Sequence, residues 1–280
     1  MNVIITGGTQ GLGVSITEKF LSEGANVSIC GRDDKQLTNC IQNLKTKYSS
    51  KIIGFQCDVS KEEEIINFID KSINEFKQID VIILNAGIYG PMGPIESIDL
   101  NQFKYALEVN FYGIVLPCKY IIPHFKKNKI GKIIIVSGGG ATSPMPYITG
   151  YASSKAASIR FMESISIELK EFNIDVNAIA PGAMATRMND EVIKAGPNLV
   201  GRDFYEKNLK WKNGESTSLE LGSDLIWFLS NKESNGITGK LISARWDNWK
   251  NLPNHLNELQ SSDIYCLRRI VPEDRNKKWN

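Results

Sequence analysis

Short runs of apolar residues recur along the chain, and each is followed by a longer stretch whose apolar residues fall three or four apart. The runs are Val3 to Ile5, Asn26 to Cys30, Ile52 to Gln56, Asp80 to Leu84, Lys132 to Val136, Asp175 to Ile179 and Gly239 to Ser243. The first pattern predicts strands and the second amphipathic helices. The helices are Val14 to Ser22, one ending near Tyr48, one beginning near Ser60, Asn101 to Lys126 with an interruption near Pro117, and one carrying Tyr151 and Lys155 to about Phe172. Repeated strand-helix alternation predicts an α/β fold, a doubly wound parallel sheet with helices on both faces. Its 280 residues are expected to form one domain, residues 1–280. Ligands in such sheets collect outside the strands' carboxyl ends, at the point where strand order reverses.

Composition narrows the function without naming it. The 33 basic and 31 acidic side chains nearly cancel to +2, with no basic block, so a nucleic-acid partner is not expected. The five cysteines, Cys30, Cys40, Cys57, Cys118 and Cys266, form no C-x-x-C pair, and the longest apolar runs are strand length. Reduced thiols in the cytoplasm and no membrane association are the expectation. The N-terminus enters structure directly, without an export-type leader. His124 and His255 lie far apart and no cysteines cluster, so no metal site is expected.

The chemistry-bearing residues sort to strand ends. After the first strand comes Thr6-Gly7-Gly8-Thr9-Gln10-Gly11-Leu12-Gly13, then a helix. That order offers backbone N–H groups and a positive helix end to a pyrophosphate, although a tight turn alone would also need glycine. The second strand ends in Gly31-Arg32-Asp33-Asp34. An acidic side chain there accepts from the ribose of NAD, whereas a basic one meets the 2′-phosphate of NADP; Arg32 favours NADP(H), with NAD(H) possible if Asp33 or Asp34 takes the ribose. Asp58 and Val59 follow the third strand. Asp58 could accept from an adenine amino group while Val59 donates its backbone N–H, and Asp58 could equally cap the next helix, where Ser60 and Glu63 fit a capping box. Asn85-Ala86-Gly87 after the fourth strand gives a small-residue turn against which a cofactor ribose could lie.

Tyr151-Ala152-Ser153-Ser154-Lys155 places a phenol and an ammonium four residues apart on one helical face. A cation about 4 Å from the phenol, at an effective dielectric of about 20, is worth about 4 kcal/mol, which would bring a tyrosine pKa from about 10 toward neutrality. Tyr147 lacks such a partner, since its own i+4 position is Tyr151.

Together, Thr6-Gly7-Gly8-Thr9-Gln10-Gly11-Leu12-Gly13, Asn85-Ala86-Gly87, Asn110, Ser137, Tyr151 to Lys155 and Pro181-Gly182 resemble the short-chain dehydrogenase/reductase family, over about residues 1 to 243. The resemblance implies a seven-stranded Rossmann fold, a nicotinamide cofactor, a small-molecule substrate and a homodimer or homotetramer. By that resemblance Tyr151 is the general acid in carbonyl reduction and the base in the reverse direction. Lys155 lowers its pKa and holds the nicotinamide ribose, Ser137 binds the substrate oxygen, and Asn110 holds a water that connects Lys155 to solvent. Thr186 falls where the family often contacts the nicotinamide carboxamide.

Two segments depart from the family's pattern. Ser137 and Tyr151 are 14 apart, which implies an extra residue in the loop between them. Where the family usually has a small Asp-Gly-Gly turn, this chain reads Ser243-Ala244-Arg245-Trp246-Asp247, followed by a polar extension over 244–280 with Trp249, Tyr265, Arg268, Arg269 and Trp279. That extension reads as an arm packed on its own or a neighbouring subunit, or as a grip on a sugar or phosphorylated substrate. A long insert, about 183–221, carries Arg187, Arg202, Tyr205, Lys207, Lys210 and Trp211 and reads as a substrate lid. Its polarity favours a sugar or another hydroxylated carbonyl compound. The expected activity is NADP(H)-dependent reduction of a ketone or oxidation of a secondary alcohol. The alternatives are a nucleotide-sugar epimerase or dehydratase, against which the Gly7-x-x-x-Gly11-x-Gly13 spacing counts, and a non-catalytic nicotinamide-binding sensor.

Overall fold

The computed structural model describes residues 1–279. Its strands are β1 (Asn2–Thr6), β2 (Asn26–Gly31), β3 (Ile52–Gln56), β4 (Val81–Leu84), β5 (Gly131–Val136), β6 (Ile174–Ala180) and β7 (Leu241–Ser243). They form one sheet in the order β3-β2-β1-β4-β5-β6-β7, with every neighbouring pair parallel. Strand order reverses between β1 and β4, which opens a crevice at their carboxyl ends.

The apolar runs are explained by helices on both faces. Alternate residues of β1 go opposite ways. Val3 and Ile5 join a core with Ile16, Phe20, Leu225 and Ile226, from α1 (Gly11–Ser22) and α10 (Leu219–Ser230). Ile4 joins Ile65, Phe68, Ile121 and Met162, from α3 (Glu62–Phe76), α5 (Gly113–Asn128) and α6 (Thr149–Leu169). The two central strands are therefore apolar on both sides, Val3 to Ile5 in β1 and Val81 to Leu84 in β4. The remaining helices are α2 (Asp34–Lys47), α4 (Leu100–Leu107), α7 (Arg187–Ala195), α8 (Pro197–Val200), α9 (Arg202–Lys210) and α11 (Leu256–Ser261). None of the described helices is long and apolar enough to cross a membrane.

Two local expectations are corrected. The helix expected over Asn101 to Lys126 does break, but at a π-helical turn over Glu108–Tyr112, whereas Pro117 lies buried inside α5. The cause is Asn110: its side chain bonds both main-chain groups of Ile88 and so holds the wider turn. The Ser60–Glu63 capping box is not made, because α3 starts at Glu62 and its N-cap is Lys61. Instead the Ser60 hydroxyl donates to Asp58 (2.8 Å) and Glu64 accepts from the Asp58 N–H (2.7 Å).

Beyond β7 the chain packs back on its own body. Trp249 is buried against Phe228, with its indole N–H donating to the Ala244 carbonyl. Leu241 N–H donates to the Tyr265 carbonyl, the buried Lys240 ammonium donates to the carbonyls of Ser262 and Ile264, and Arg268 pairs with Asp263 and Asp274.

Candidate active site

A cleft of about 1930 Å³ runs along the carboxyl edge of the sheet. That exceeds the roughly 300–1,000 Å³ of a typical single-ligand pocket, so it has room for a dinucleotide and a second molecule. Its lining includes Gly7, Thr9, Gln10, Gly11, Leu12, Gly13, Arg32, Val59, Asn85, Ala86, Gly87, Ser137, Tyr151, Lys155, Pro181, Gly182 and Thr186. Asn110 and Asp58 are not among the lining residues.

The glycine turn is shaped by exclusion. A Cβ on Gly13 would lie 1.9 Å from the Gly7 carbonyl oxygen, so the turn and the first helical residues close to a distance only glycine permits. The Asn85 side chain donates to the carbonyls of Thr6 (3.1 Å) and Gly7 (3.0 Å), and the Thr6 hydroxyl accepts from the N–H groups of Asn85 and Ala86. Gln10, at the N-cap of α1, makes no side-chain cap bond. The first N–H groups of α1 therefore face a preformed cradle, which fits a pyrophosphate. The clamp made by Thr6 was not anticipated; its position at a strand end, next to Gly7, was the available signal.

At the end of β2, Arg32 lines the cleft and its guanidinium donates to the Tyr105 hydroxyl. The Asp33 carboxylate caps α2 by accepting from the Gln36 N–H at 2.9 Å. Asp58 neither lines the cleft nor caps α3, whose N-cap is Lys61: its carboxylate accepts from the Ser60 N–H (3.0 Å) and from the Tyr105 hydroxyl (3.2 Å). Burial works to raise its pKa, but the Ser60 hydrogen bonds, Tyr105 and Arg32 outweigh it and hold the carboxyl below its usual range.

The reacting end lies beyond β5. Tyr151 and Lys155, one turn apart on α6, are buried, and Lys155 Nζ stands 5.6 Å from the centre of the Tyr151 ring. The ammonium donates to the Val136 carbonyl at 2.8 Å. A Cβ on Gly138 would lie 2.2 Å from the Tyr151 hydroxyl, so this glycine leaves the phenol oxygen its space. The Ser137 hydroxyl is buried and has no hydrogen-bond partner among the described residues. An unpaired buried hydroxyl costs roughly 1–3 kcal/mol, and a ligand oxygen would recover it.

The expected depression of the Tyr151 pKa by Lys155 is corrected. Burial, with a smaller contribution from Tyr89, pushes the phenol well above its ordinary value of 10.0. Burial also lowers Lys155 from 10.5 to about 8. Both side chains are governed by desolvation, which favours the neutral forms, and the ammonium is anchored on the Val136 carbonyl rather than on the phenol.

Asn110 acts through its neighbours. Its side chain accepts from the Ile88 N–H (2.8 Å) and donates to the Ile88 carbonyl (2.8 Å) and the Ser154 hydroxyl (3.0 Å). It thereby ties the loop after β4 to α6. A Cβ on Gly87 would touch both Asn110 Oδ1 and Lys155 Nζ.

The far side of the cleft is built from α7 to α9. Arg187, Arg202, Lys207 and Trp211 line it, whereas Tyr205 and Lys210 do not. Of the C-terminal stretch, Trp246 and Asp247 reach the lining, but Tyr265, Arg268, Arg269 and Trp279 do not. Trp246 is 76% exposed and carries the Arg245 guanidinium 4.7 Å over its ring. Two aromatic lining residues went unanticipated, Tyr89 and Phe204, and an aromatic two residues past Asn85-Ala86-Gly87 was the signal for the first. Among the described residues, no group of three His, Cys, Asp or Glu could hold a metal ion.

Comparison with known proteins agrees with this geometry. Residues 1–196 match the family model described as short chain dehydrogenase. The chain is 32% identical over 241 residues to a glucose 1-dehydrogenase of Gluconobacter oxydans, covering 86% of this chain and 88% of that one. It is 27% identical over 196 residues to an L-fucose dehydrogenase of Oryctolagus cuniculus, covering 70% and 67% respectively. Among solved structures, ElxO with NADP bound superposes with a TM-score of 0.76 at 29% identity, covering 87% of this chain and 96% of that one. Levodione reductase, at 21% identity, shares the fold with a TM-score of 0.79, covering 90% and 97%. With its parallel seven-stranded sheet, glycine cradle and Tyr151–Lys155 pair, this chain belongs to the short-chain dehydrogenase/reductase family.

Proposed function

We propose that this protein is an NADP(H)-dependent oxidoreductase that reduces a ketone or oxidises the corresponding secondary alcohol, with Tyr151 as general acid and base. The observation that carries this reading is the meeting of the buried Tyr151 phenol, the unpartnered Ser137 hydroxyl and the buried Lys155 ammonium at the mouth of β5. The dinucleotide would lie along Gly7, Thr9, Gln10, Gly11, Leu12 and Gly13, with Arg32 at its 2′-phosphate, Val59 at the adenine, Asn85 to Gly87 at a ribose, and Pro181, Gly182 and Thr186 near the carboxamide. The Asp33 carboxylate already serves as a helix cap, which supports Arg32 and NADP(H) over a ribose contact and NAD(H).

A bound nicotinamide would supply the hydride. Tyr151 is held as the neutral phenol, the form that hands a proton to a carbonyl oxygen as that oxygen gains charge. In the oxidative direction Tyr151 first releases its own proton toward solvent by way of Lys155, and the phenolate so formed receives the alcohol's proton. Ser137 donates to the same substrate oxygen and fixes its approach. Lys155, with one N–H on the Val136 carbonyl, keeps two donors for ribose hydroxyls. Asn110 fixes the loop beside Lys155 and, in this reading, supports the water through which that lysine exchanges protons with solvent.

The substrate class we favour is a sugar or another polar, hydroxylated carbonyl compound. Arg187, Arg202, Lys207 and Trp211 on the cleft wall support it, as do relatives named for glucose and L-fucose. We place the protein in the cytoplasm as a homodimer or homotetramer, with 183–221 as a lid and 244–280 as an extension of a single catalytic domain. Tyr151→Phe tests the reading. Turnover should fall about 10²- to 10⁴-fold while NADPH affinity, followed by nucleotide fluorescence, stays within about twofold. Loss of both in parallel, or of neither, would reject Tyr151 as the proton donor. Turnover confined to aliphatic ketones and acyl thioesters in a panel that includes keto sugars would reject the substrate class.

A further inference from the structure

We propose that Tyr89 is a specificity-determining residue whose hydroxyl binds a second substrate oxygen, on the carbon next to the reacting one, so that the substrates are α-hydroxy ketones and the matching vicinal diols. This inference rests on the reading of Tyr151 and Ser137 given above and sharpens its substrate class.

Tyr89 lines the cleft beside the reacting centre. Its ring packs edge-on against that of Tyr151, with centroids 4.9 Å apart, and Phe204 of α9 packs edge-on against it at 6.5 Å. Phe204 in turn meets Trp211 at 6.3 Å. An aromatic wall therefore runs outward from Tyr151 to the lid-like helices, with Tyr89 as its first member. For packing alone phenylalanine would serve equally, since the edge-to-face preference belongs to the ring. The hydroxyl, which phenylalanine would lack, adds a hydrogen-bond donor to that wall.

The Tyr89 hydroxyl has no hydrogen-bond partner among the described residues, although the side chain is partly buried. In this it resembles Ser137, whose hydroxyl is also unpartnered and lines the same cleft. Tyr151 thus has two orphan hydroxyls for neighbours. Ser137 shares the reacting oxygen with Tyr151, so the donor on the second phenol is left for a different oxygen. With the two rings in contact, both phenols can serve a single small substrate, and the second donor is assigned to the oxygen on the adjacent carbon. Burial and the Glu191 carboxylate push the Tyr89 phenol up to about 12, so it stays a donor across the working range. Its placement is also rigid, because the preceding residue, Ile88, has both main-chain groups tied to the Asn110 side chain. A preorganised donor of this kind discriminates strongly against analogues that lack the partner oxygen.

The experiment compares an α-hydroxy ketone with the same ketone lacking the hydroxyl, in wild type and in Tyr89→Phe, with NADPH in excess. Wild type should favour the hydroxylated ketone in kcat/KM by about ten- to a hundredfold, and in Tyr89→Phe that ratio should fall to within about threefold of unity. A ratio that survives Tyr89→Phe, or a wild type without preference, overturns the proposal. An equal loss on both ketones also overturns it, because Tyr89 would then only position Tyr151. Binding supplies a readout apart from turnover: quenching of protein fluorescence by the vicinal diol and by the mono-alcohol, in the presence of NADP⁺, should show the same preference in wild type and lose it in the variant. If neither ketone is reduced, the proposed reaction fails; a surviving diol preference that depends on Tyr89 would still support the contact, and its absence would overturn it.

Discussion

The two walls of the cleft are built on different principles. The wall at the β1 and β4 ends is made of backbone brought so close that side chains are excluded: Gly13 beside the Gly7 carbonyl, with the Asn85 amide closing over the turn. The opposite wall, α7 to α9, is made of side chains presented by short helices joined at Gly196 and Gly201, where a Cβ on Gly196 would meet nothing within 4 Å. A cofactor common to a family can be held by main chain, which changes little with sequence. A substrate particular to one member is held by side chains, which change freely. The difference teaches where single substitutions should be destructive and where they should only tune.

The largest effect is expected in the backbone wall. Gly13→Ala places a methyl 1.9 Å from a carbonyl oxygen that belongs to main chain and has no rotamer with which to escape. The turn must open, at a cost of about 4 kcal/mol or more, since even ordinary overpacking costs roughly 1–3 kcal/mol. Denaturant melts should show that loss, and NADPH affinity should fall with it. A variant of normal stability and affinity would show that the cradle yields, and the contrast between the walls would be gone.

Next comes Lys155, buried on α6. Its folded pKa, near 8, lies below its ordinary 10.5, so the unfolded chain binds more protons between those values. Stability contributed through this group therefore rises with pH over that window, by about 3 kcal/mol if it is followed to the end. Below pH 8 both states carry the proton and the contribution is flat. Melts from pH 7.5 to 9.5 should show the rise in wild type, and Lys155→Met should flatten it. The same slope in both proteins would mean that the ammonium is not desolvated.

This asymmetry also explains how much could be read in advance. The fold was legible because strands covered on both faces are mostly apolar, and the resulting runs stand out from amphipathic helices. The cradle was legible because steric exclusion leaves glycine as its mark. Tyr151 and Lys155 were legible by spacing and Ser137 by the family resemblance, and all three line the cleft. The electrostatics were not: spacing places a cation near a phenol, but desolvation depends on everything packed around them. Nor was the turn at Asn110, whose cause is a side-chain contact with Ile88, 22 residues away in sequence. Tyr89 and Phe204 escaped because aromatics near strand ends and on helices are ordinary core residues until a structure shows them lining a cleft.

A smaller effect belongs to the side-chain wall. Gly196 has φ 80° and ψ 164°, a region that other residues enter at a cost of roughly 1–3 kcal/mol. Gly196→Ala should therefore lower stability by about 2 kcal/mol, from backbone strain alone. NADPH affinity should stay unchanged, in contrast with Gly13→Ala, where both fall. If nucleotide binding dropped as well, the two walls would be coupled and the division between them would need redrawing.

The smallest effect tests a side chain at the nucleotide end of the backbone wall. Arg32 reaches the cleft at the end of β2, where Asp33 is already committed to capping α2. If the guanidinium meets a 2′-phosphate, Arg32→Ala removes one charge-assisted contact, worth about 1.5–3 kcal/mol when it is fully formed. The site lies at a solvent-facing loop and the guanidinium also serves Tyr105, so the lower end applies and NADPH should bind about tenfold more weakly. NADH, which has no phosphate there, should be affected less than twofold, and the ratio of the two dissociation constants isolates the contact from any general disturbance of the loop. Equal weakening of both nucleotides would assign Arg32 to the Tyr105–Asp58 network alone. Cofactor choice would then pass to Asp33, at the expense of its helix cap.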